Sequence, residues 1–229
     1  MKAAKKNLYK RLLVEGKNDE HVVYALCNSF GLPQNFEVVD CDGIDGIWLQ
    51  LSIAEKSDIS AMGIIVDTDL SLQSRWQSVR DKLQKNLSDF KPALPDNDSF
   101  PAYGLITEAY TYDRDQPDKS TIQKKKKIGV WIMPDNSQRG ILEDFIAMLI
   151  PENDLLMPAV SAHINQVEEA GLNKYSLTHQ SKARIHAWLA LQESPGTPLG
   201  QSITKGYLNP NSEICLRFTN WLKELFEDS

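Results

Sequence analysis

Cysteine is scarce in this sequence and long apolar runs are missing. Cys27, Cys41 and Cys215 stand far apart and form no CxxC pair, which leaves neither a zinc-ligand spacing nor a disulfide framework. No apolar stretch approaches the roughly 20 residues of a membrane span. The basic start Met1–Lys6 lacks the apolar core of a signal peptide, so a cytoplasmic protein with no membrane partner is expected. His21, His163, His179 and His186 show no ligand spacing. There is no GxxxxGK[ST] phosphate loop, no internal repeat, and no low-complexity tract beyond Lys124–Lys127. Positive charge is also in deficit, with 25 Lys and Arg against 31 Asp and Glu and a formal net charge of −6. That balance weighs against a bulk-electrostatic nucleic-acid binder. It does not weigh against an enzyme acting on nucleic acid, because some of the acids can be metal ligands whose charge the bound ion offsets.

What is present is an ordinary globular composition, 41% hydrophobic and 24% charged over 229 residues, enough for one substantial core or a core with a smaller lobe. Apolar runs alternate with amphipathic ones. Tyr9–Val14, Phe36–Cys41 and Ala61–Val66 read as strands. Between and after them, helices are expected from Asn18 or Asp19 to Phe30, Gly46 to Lys56 and Leu70 to Leu87. This is the pattern of a mostly parallel sheet with crossover helices. Phe90–Phe100 reads as a loop, 103–113 as one or two strands, Asp113–Lys127 as an exposed polar loop, Ile128–Met133 as a strand and Gly140–Ile150 as a helix. After Pro151 only helices are expected, near Asp154–Ala170, Gln180–Gln192 and Glu213–Phe226, with a turn-rich stretch Ser194–Gly200. The division is therefore an α/β core over 1–150 and a helical extension over 151–229 packed on it, with Trp188 and Trp221 as core between the distal helices.

Acids end the apolar runs. Leu12-Leu13-Val14 leads into Glu15-Gly16, and Ile64-Ile65-Val66 leads into Asp67-Thr68-Asp69. In open α/β sheets, ligand sites gather at the carboxyl ends of the strands. Carboxylates placed there repel one another unless a cation lies between them, and a hard divalent ion such as Mg²⁺ or Mn²⁺ is the simplest one. Asp67 and Asp69 can instead cap the following helix; capping explains one aspartate well and two poorly. Asp19 is also a good first-turn residue. Asp40 and Asp42 read as turn residues. Gly16 reads as a backbone position that a side chain would obstruct. The Lys124–Lys127 run reads as a solvated loop ahead of a phosphate-backbone contact.

The segments Val14-Glu15-Gly16-Lys17-Asn18-Asp19 and Val66-Asp67-Thr68-Asp69 resemble the two signature motifs of the TOPRIM domain of topoisomerases, primases and related nucleases. Asp19, four residues after Glu15, is more similar to the variant in the overcoming-lysogenization-defect (OLD) nucleases. Pro134-Asp135-Asn136 through Gly140–Phe145, and Ser181-Lys182-Ala183 through Ala187–Ala190 with Pro195-Gly196, resemble segments of small, mostly uncharacterised bacterial TOPRIM-like proteins. The motif region covers about 8–150, and the closer resemblance runs over nearly the whole chain. It implies a Rossmann-like core, Mg²⁺ or Mn²⁺, and phosphodiester cleavage in DNA or RNA.

By that resemblance Glu15, Asp67 and Asp69 frame a first metal, with Asp19 joining from the first helical turn. Glu15 is a metal ligand or, with one metal only, a general acid or base. Glu143 and, less so, Asp144 serve a second metal, with Asp135 as a rival. Lys182 supports the scissile phosphate, with Lys205 as the alternative. The missing phosphate loop means that the ATPase of full-length OLD proteins would have to be a separately encoded partner, in a setting of phage defence. A non-catalytic nucleic-acid or nucleotide-binding module that keeps the metal is the competing expectation. A phosphatase or glycosyltransferase ranks last, because an acidic strand precedes the one carrying Asp67-Thr68-Asp69.

Overall fold

The computed structural model describes residues 9–54, 58–69, 71–112 and 122–227. The basic start, the last two residues (55–56) of the second expected helix with Ser57 after it, Leu70, residues 113–121 of the expected polar loop and residues 228–229 lie outside the described residues. The chain runs β1 (Tyr9–Val14), α1 (Lys17–Ser29), β2 (Glu37–Asp40), α2 (Ile44–Ala54), β3 (Ile59–Asp67), α3 (Leu72–Asn86), β4 (Leu105–Tyr112) and β5 (Ile122–Met133). It continues through α4 (Leu142–Met148), α5 (Leu156–Glu169), a 3₁₀ turn (Leu177–His179), α6 (Gln180–Ala190), α7 (Leu199–Thr204) and α8 (Glu213–Phe226). The strands form a five-stranded sheet in the order β2-β1-β3-β5-β4. All neighbours are parallel except β4 against β5. This is the expected α/β class, with helices on both faces of a mostly parallel sheet.

The strand order explains the helix placement. From β1 the chain crosses to β2 on one side, then returns past β1 to β3. Crossovers of one hand that travel in opposite directions put their helices on opposite faces. Accordingly, Val22, Val23 and Leu26 of α1 join one core, and Ile47 and Leu51 of α2 join the other with Trp76, Val79 and Leu83 of α3. The central strands feed both cores by alternation. Leu12 and Val14 enter the first and Leu13 the second; Trp131 and Met133 enter the first and Val130 and Ile132 the second. A strand buried on both faces has no polar alternation to show, which is why these read as continuous apolar runs.

The helices after residue 150 pack on the sheet, and α8 belongs to its first core through Phe218, Trp221, Leu222 and Leu225. Trp188 and Trp221 are buried there as expected. The close seat of α8 depends on Gly63 and Gly129, which are register partners on β3 and β5. A Cβ on Gly129 would lie 2.6 Å from Leu225 Cδ2, and one on Gly63 would lie 2.9 Å from the same atom.

Two expectations need correction. The polar loop read over Asp113–Lys127 ends earlier, because β5 begins at Ile122 and pairs with β4 as an antiparallel arm. Lysines were read as loop, but Lys125 pairs with Glu108 at 2.6 Å and Lys126 is buried with its Nζ donating to Ile59 O. The turn-rich stretch also leads straight into a helix, α7, entered from Pro198. Its Gly200 lets it lie against α1, where a Cβ would meet His21 O at 2.6 Å.

Candidate functional site

The break in winding direction falls between β1 and β3, and the crevice beyond the carboxyl ends of strands at such a point is the usual ligand position of an open α/β sheet. Glu15 follows β1 and Asp67 ends β3. They face each other, since the Asp67 main-chain N–H donates to Glu15 Oε1 at 2.8 Å. Asp67 Oδ1 in turn accepts from the Leu142 N–H at the start of α4, at 3.1 Å. Asp19, in the first turn of α1, accepts from the Gly16 N–H at 3.1 Å. Glu143, the second residue of α4, is buried.

The electrostatics of this cluster are those of like charges held together. Burial raises the Asp19 carboxyl to about 7, and repulsion from Glu15 and Glu143 adds to it against the hydrogen bonds from its own and the Gly16 N–H. Asp67 is raised well above its ordinary value by burial, then by the charges of Asp19, Glu15, Glu143 and Asp69. Glu15 is raised by burial, which outweighs the Asp67 N–H and the Arg75 charge. All the donors are oxygen, half-buried or, for Glu143, buried, and mutually repulsive, a set suited to a hard divalent ion. Among the described residues no three His, Cys, Asp or Glu side chains stand together as a finished ligand set.

The remaining expected residues divide. Lys182 of α6 brings its Nζ to 3.7 Å from Glu143 Oε1. Lys205, at the end of α7, makes no ion pair with these acids among the described residues. Asp69 stands at the edge, half-exposed, with φ 54° and its carboxylate on Arg75. Asp144 is committed to structure, with Oδ2 accepting from the Ile141 N–H at 2.8 Å and Oδ1 from the Ser181 hydroxyl. Asp135 is committed as well. Burial would raise its carboxyl, but the Gln138 and Ser137 N–H groups and the Gln138 amide hold it below its ordinary value.

Capping explains neither Asp67 nor Asp69, because Ser71 caps α3 through the Ser74 N–H. Asp40 and Asp42 are turn residues, with the Asp42 N–H donating to Asp40 Oδ1 at 3.0 Å and Asp42 at φ 53°. The steric reading of Gly16 is corrected. Its backbone is extended, with φ −151°, and a Cβ would meet Asp19 Oδ2 at 3.5 Å, an ordinary contact.

Two basic side chains beside the acids escaped the sequence reading. Arg75 of α3 holds Asp69 and acts on Glu15. His186, one turn beyond Lys182, places Nε2 4.0 Å from Glu143 Oε1. The i, i+4 spacing of Lys182 and His186 was the available signal, but it points to a common face and not to what that face meets. The Lys124–Lys127 run lies away from all of this, at the amino end of β5.

The chain belongs to the family described as "Protein of unknown function (DUF3226)", whose model matches residues 9–227. No curated protein and no solved structure matches it. Among the described residues no helix is long and apolar enough to cross a membrane.

Proposed function

We propose that this chain is a divalent-metal-dependent nuclease of TOPRIM type, closest in plan to the OLD nucleases, acting on DNA or RNA. The observation that carries the reading is the convergence of the half-buried Glu15, Asp19 and Asp67 and the buried Glu143 at the switch point of the sheet, with Lys182 beside Glu143. Burying like charges is costly unless a cation pairs them. Single hydrogen bonds account for the positions of Glu15, Asp19 and Asp67, and a bound ion would offset the repulsion among the acids.

Glu15, Asp67 and Asp19 would hold the first Mg²⁺ or Mn²⁺, with Asp69 joining once it leaves Arg75, and Glu143 would serve a second ion. When bound, such ions stabilise charge on the attacking and leaving oxygens of a phosphodiester and activate a water. The protein's own part is positional. The Asp67 and Leu142 N–H groups fix the carboxylates of Glu15 and Asp67. Lys182 offers a fixed positive charge where negative charge develops on the phosphate. Asp144, bound to Ser181, holds α6 against α4 and so sets Lys182 relative to Glu143.

The setting that goes with this reading is the cytoplasm, with a separately encoded ATPase as partner and defence against phage as the role. The competing reading is a nucleic-acid or nucleotide-binding module that keeps a metal without cutting. Incubation with Mn²⁺ or Mg²⁺ and single- and double-stranded DNA and RNA separates the two. Cleavage by the wild type that is lost in Asp67→Ala supports the nuclease. Metal binding with every substrate left intact supports the module.

A further inference from the structure

A cleft of about 810 Å³ opens on the same side of the sheet as the acids. Its walls are the turn after β5, the end of α4 and the first turns of α8. It shares a wall with the acidic rim, because Gln138 O accepts from Thr68 Oγ1 at 3.2 Å, and Thr68 follows Asp67. Met148 in the cleft and Glu143 at the rim lie on one helix, about 8 Å apart at 1.5 Å per residue. We propose that this cleft seats one nucleobase of the strand whose phosphate lies at the acidic rim; the strand rests on the nuclease reading, while the base site stands on its own chemistry.

That chemistry is an apolar slot with a polar edge. Met148, Ile150, Pro151 and Ile214 supply its apolar lining. Gln138 spends its amide nitrogen on Asp135 Oδ2 and keeps its carbonyl as an acceptor. Asn209 spends its carbonyl on the Asn211 N–H and keeps its amide as a donor. Arg217 donates from Nη2 to Asp135 O at 3.2 Å and lies over the exposed Tyr103 ring at 5.7 Å. Its Nε is buried and has no hydrogen-bond partner among the described residues. Donor, acceptor and guanidinium around an apolar slot match the faces and edge of a planar heterocycle. Phosphate suits the cleft poorly, because Asp135, Glu152 and Glu213 line it against the single cation Arg217. Glu152 and Glu213 there are instead placed to accept from an exocyclic amine.

Unphosphorylated nucleosides, titrated without metal, test the site by two-dimensional ¹H–¹⁵N spectra of the full chain. Saturable shifts are expected at the Arg217 Nε–H and the Asn209 side-chain amide, with ribose alone giving none. Met148→Trp, which fills the slot, and Arg217→Ala should each weaken binding about tenfold or more, with the remaining spectrum showing the fold intact. No shift at these residues, equal shifts with ribose, or a Met148→Trp variant that binds like the wild type overturns the proposal. A short oligonucleotide should shift the same signals at lower concentration than its nucleoside; the reverse order overturns the strand assignment. The assay needs neither phosphate nor metal. A chain that cleaves but leaves these signals unmoved loses only the base site, and one that binds nucleosides but never cleaves loses only the nuclease reading.

Discussion

The two ends of the sheet handle charge in opposite ways. At the amino end of β5, Lys125 pairs with Glu108, Lys126 donates to Ile59 O, and Lys127 donates to Glu224 O. Each described charge there has a local acceptor. At the carboxyl end, Glu15, Asp19, Asp67 and Glu143 crowd together, and burial and mutual repulsion raise the carboxyls of Glu15, Asp19 and Asp67. Both ends look similar in the sequence, as runs of charge beside apolar strands. On the proposed reading, charge met locally is structure, whereas like charge crowded in excess of its nearby cations, Arg75 and Lys182, is a place held for a metal ion.

The sharpest way to break that contrast is to delete one charge at each end. Asp67→Ala is expected to lower metal-dependent cleavage at least about a thousandfold, since it removes a ligand and the partner of the Leu142 N–H. Lys127→Ala, read in the same assay, should leave cleavage within about twofold, because its charge serves Glu224 O. Equal losses from the two variants would erase the distinction. Next in size is Lys182→Ala, expected to lower kcat about a hundredfold with little change in Mn²⁺ affinity measured by calorimetry. A loss confined to metal affinity would make Lys182 a partner of Glu143 and nothing more.

The stability of the protein should carry the same signature. A carboxyl whose folded pKa is raised binds its proton more tightly in the folded state. Its stabilisation is complete below the unfolded value near 3.8 and is lost as pH rises through the folded value, about 7 for Asp19. Without metal, thermal melts should therefore fall between about pH 4 and pH 8, by an amount on the order of a few kcal/mol. Asp19→Asn, which keeps the acceptor for the Gly16 N–H, should raise Tm by a few degrees at pH 8 and by less at pH 5. Mn²⁺ should raise Tm at pH 8 and much less at pH 5, where protons compete for the same oxygens. A wild type whose Tm climbs steadily from pH 4 to pH 8 without metal would contradict the account of the rim.

What the sequence made legible follows from how local each signal is. The parallel core could be read because strands buried on both faces leave unbroken apolar runs, as in Leu12-Leu13-Val14 and Ile128–Met133. Glu15 and Asp67 could be read because each ends such a run, and the meeting of Asp67 N with Glu15 Oε1 is what two neighbouring parallel strands produce. The amino half of β5 could not be read, since its lysines owe their partners to β3, β4 and α8 rather than to adjacent residues. Asp144 could not be told from Glu143, because adjacent positions on a helix point about 100° apart and only the docking of α6 decides which meets Ser181 and which meets Lys182. Arg75 was hidden in an amphipathic helix whose exposed face carries other charges. Helix α7 was hidden by the proline and glycine that begin it.

The most direct test of the central claim is a crystal structure with Mn²⁺, with anomalous scattering used to place the ion. The account predicts a peak in direct contact with Glu15 and Asp67, at about 2.0–2.3 Å from their oxygens, and displacement of that peak in Asp67→Ala crystals. A fully soaked crystal with no peak between β1 and β3, or with its ion held only by exposed acids elsewhere, would contradict it.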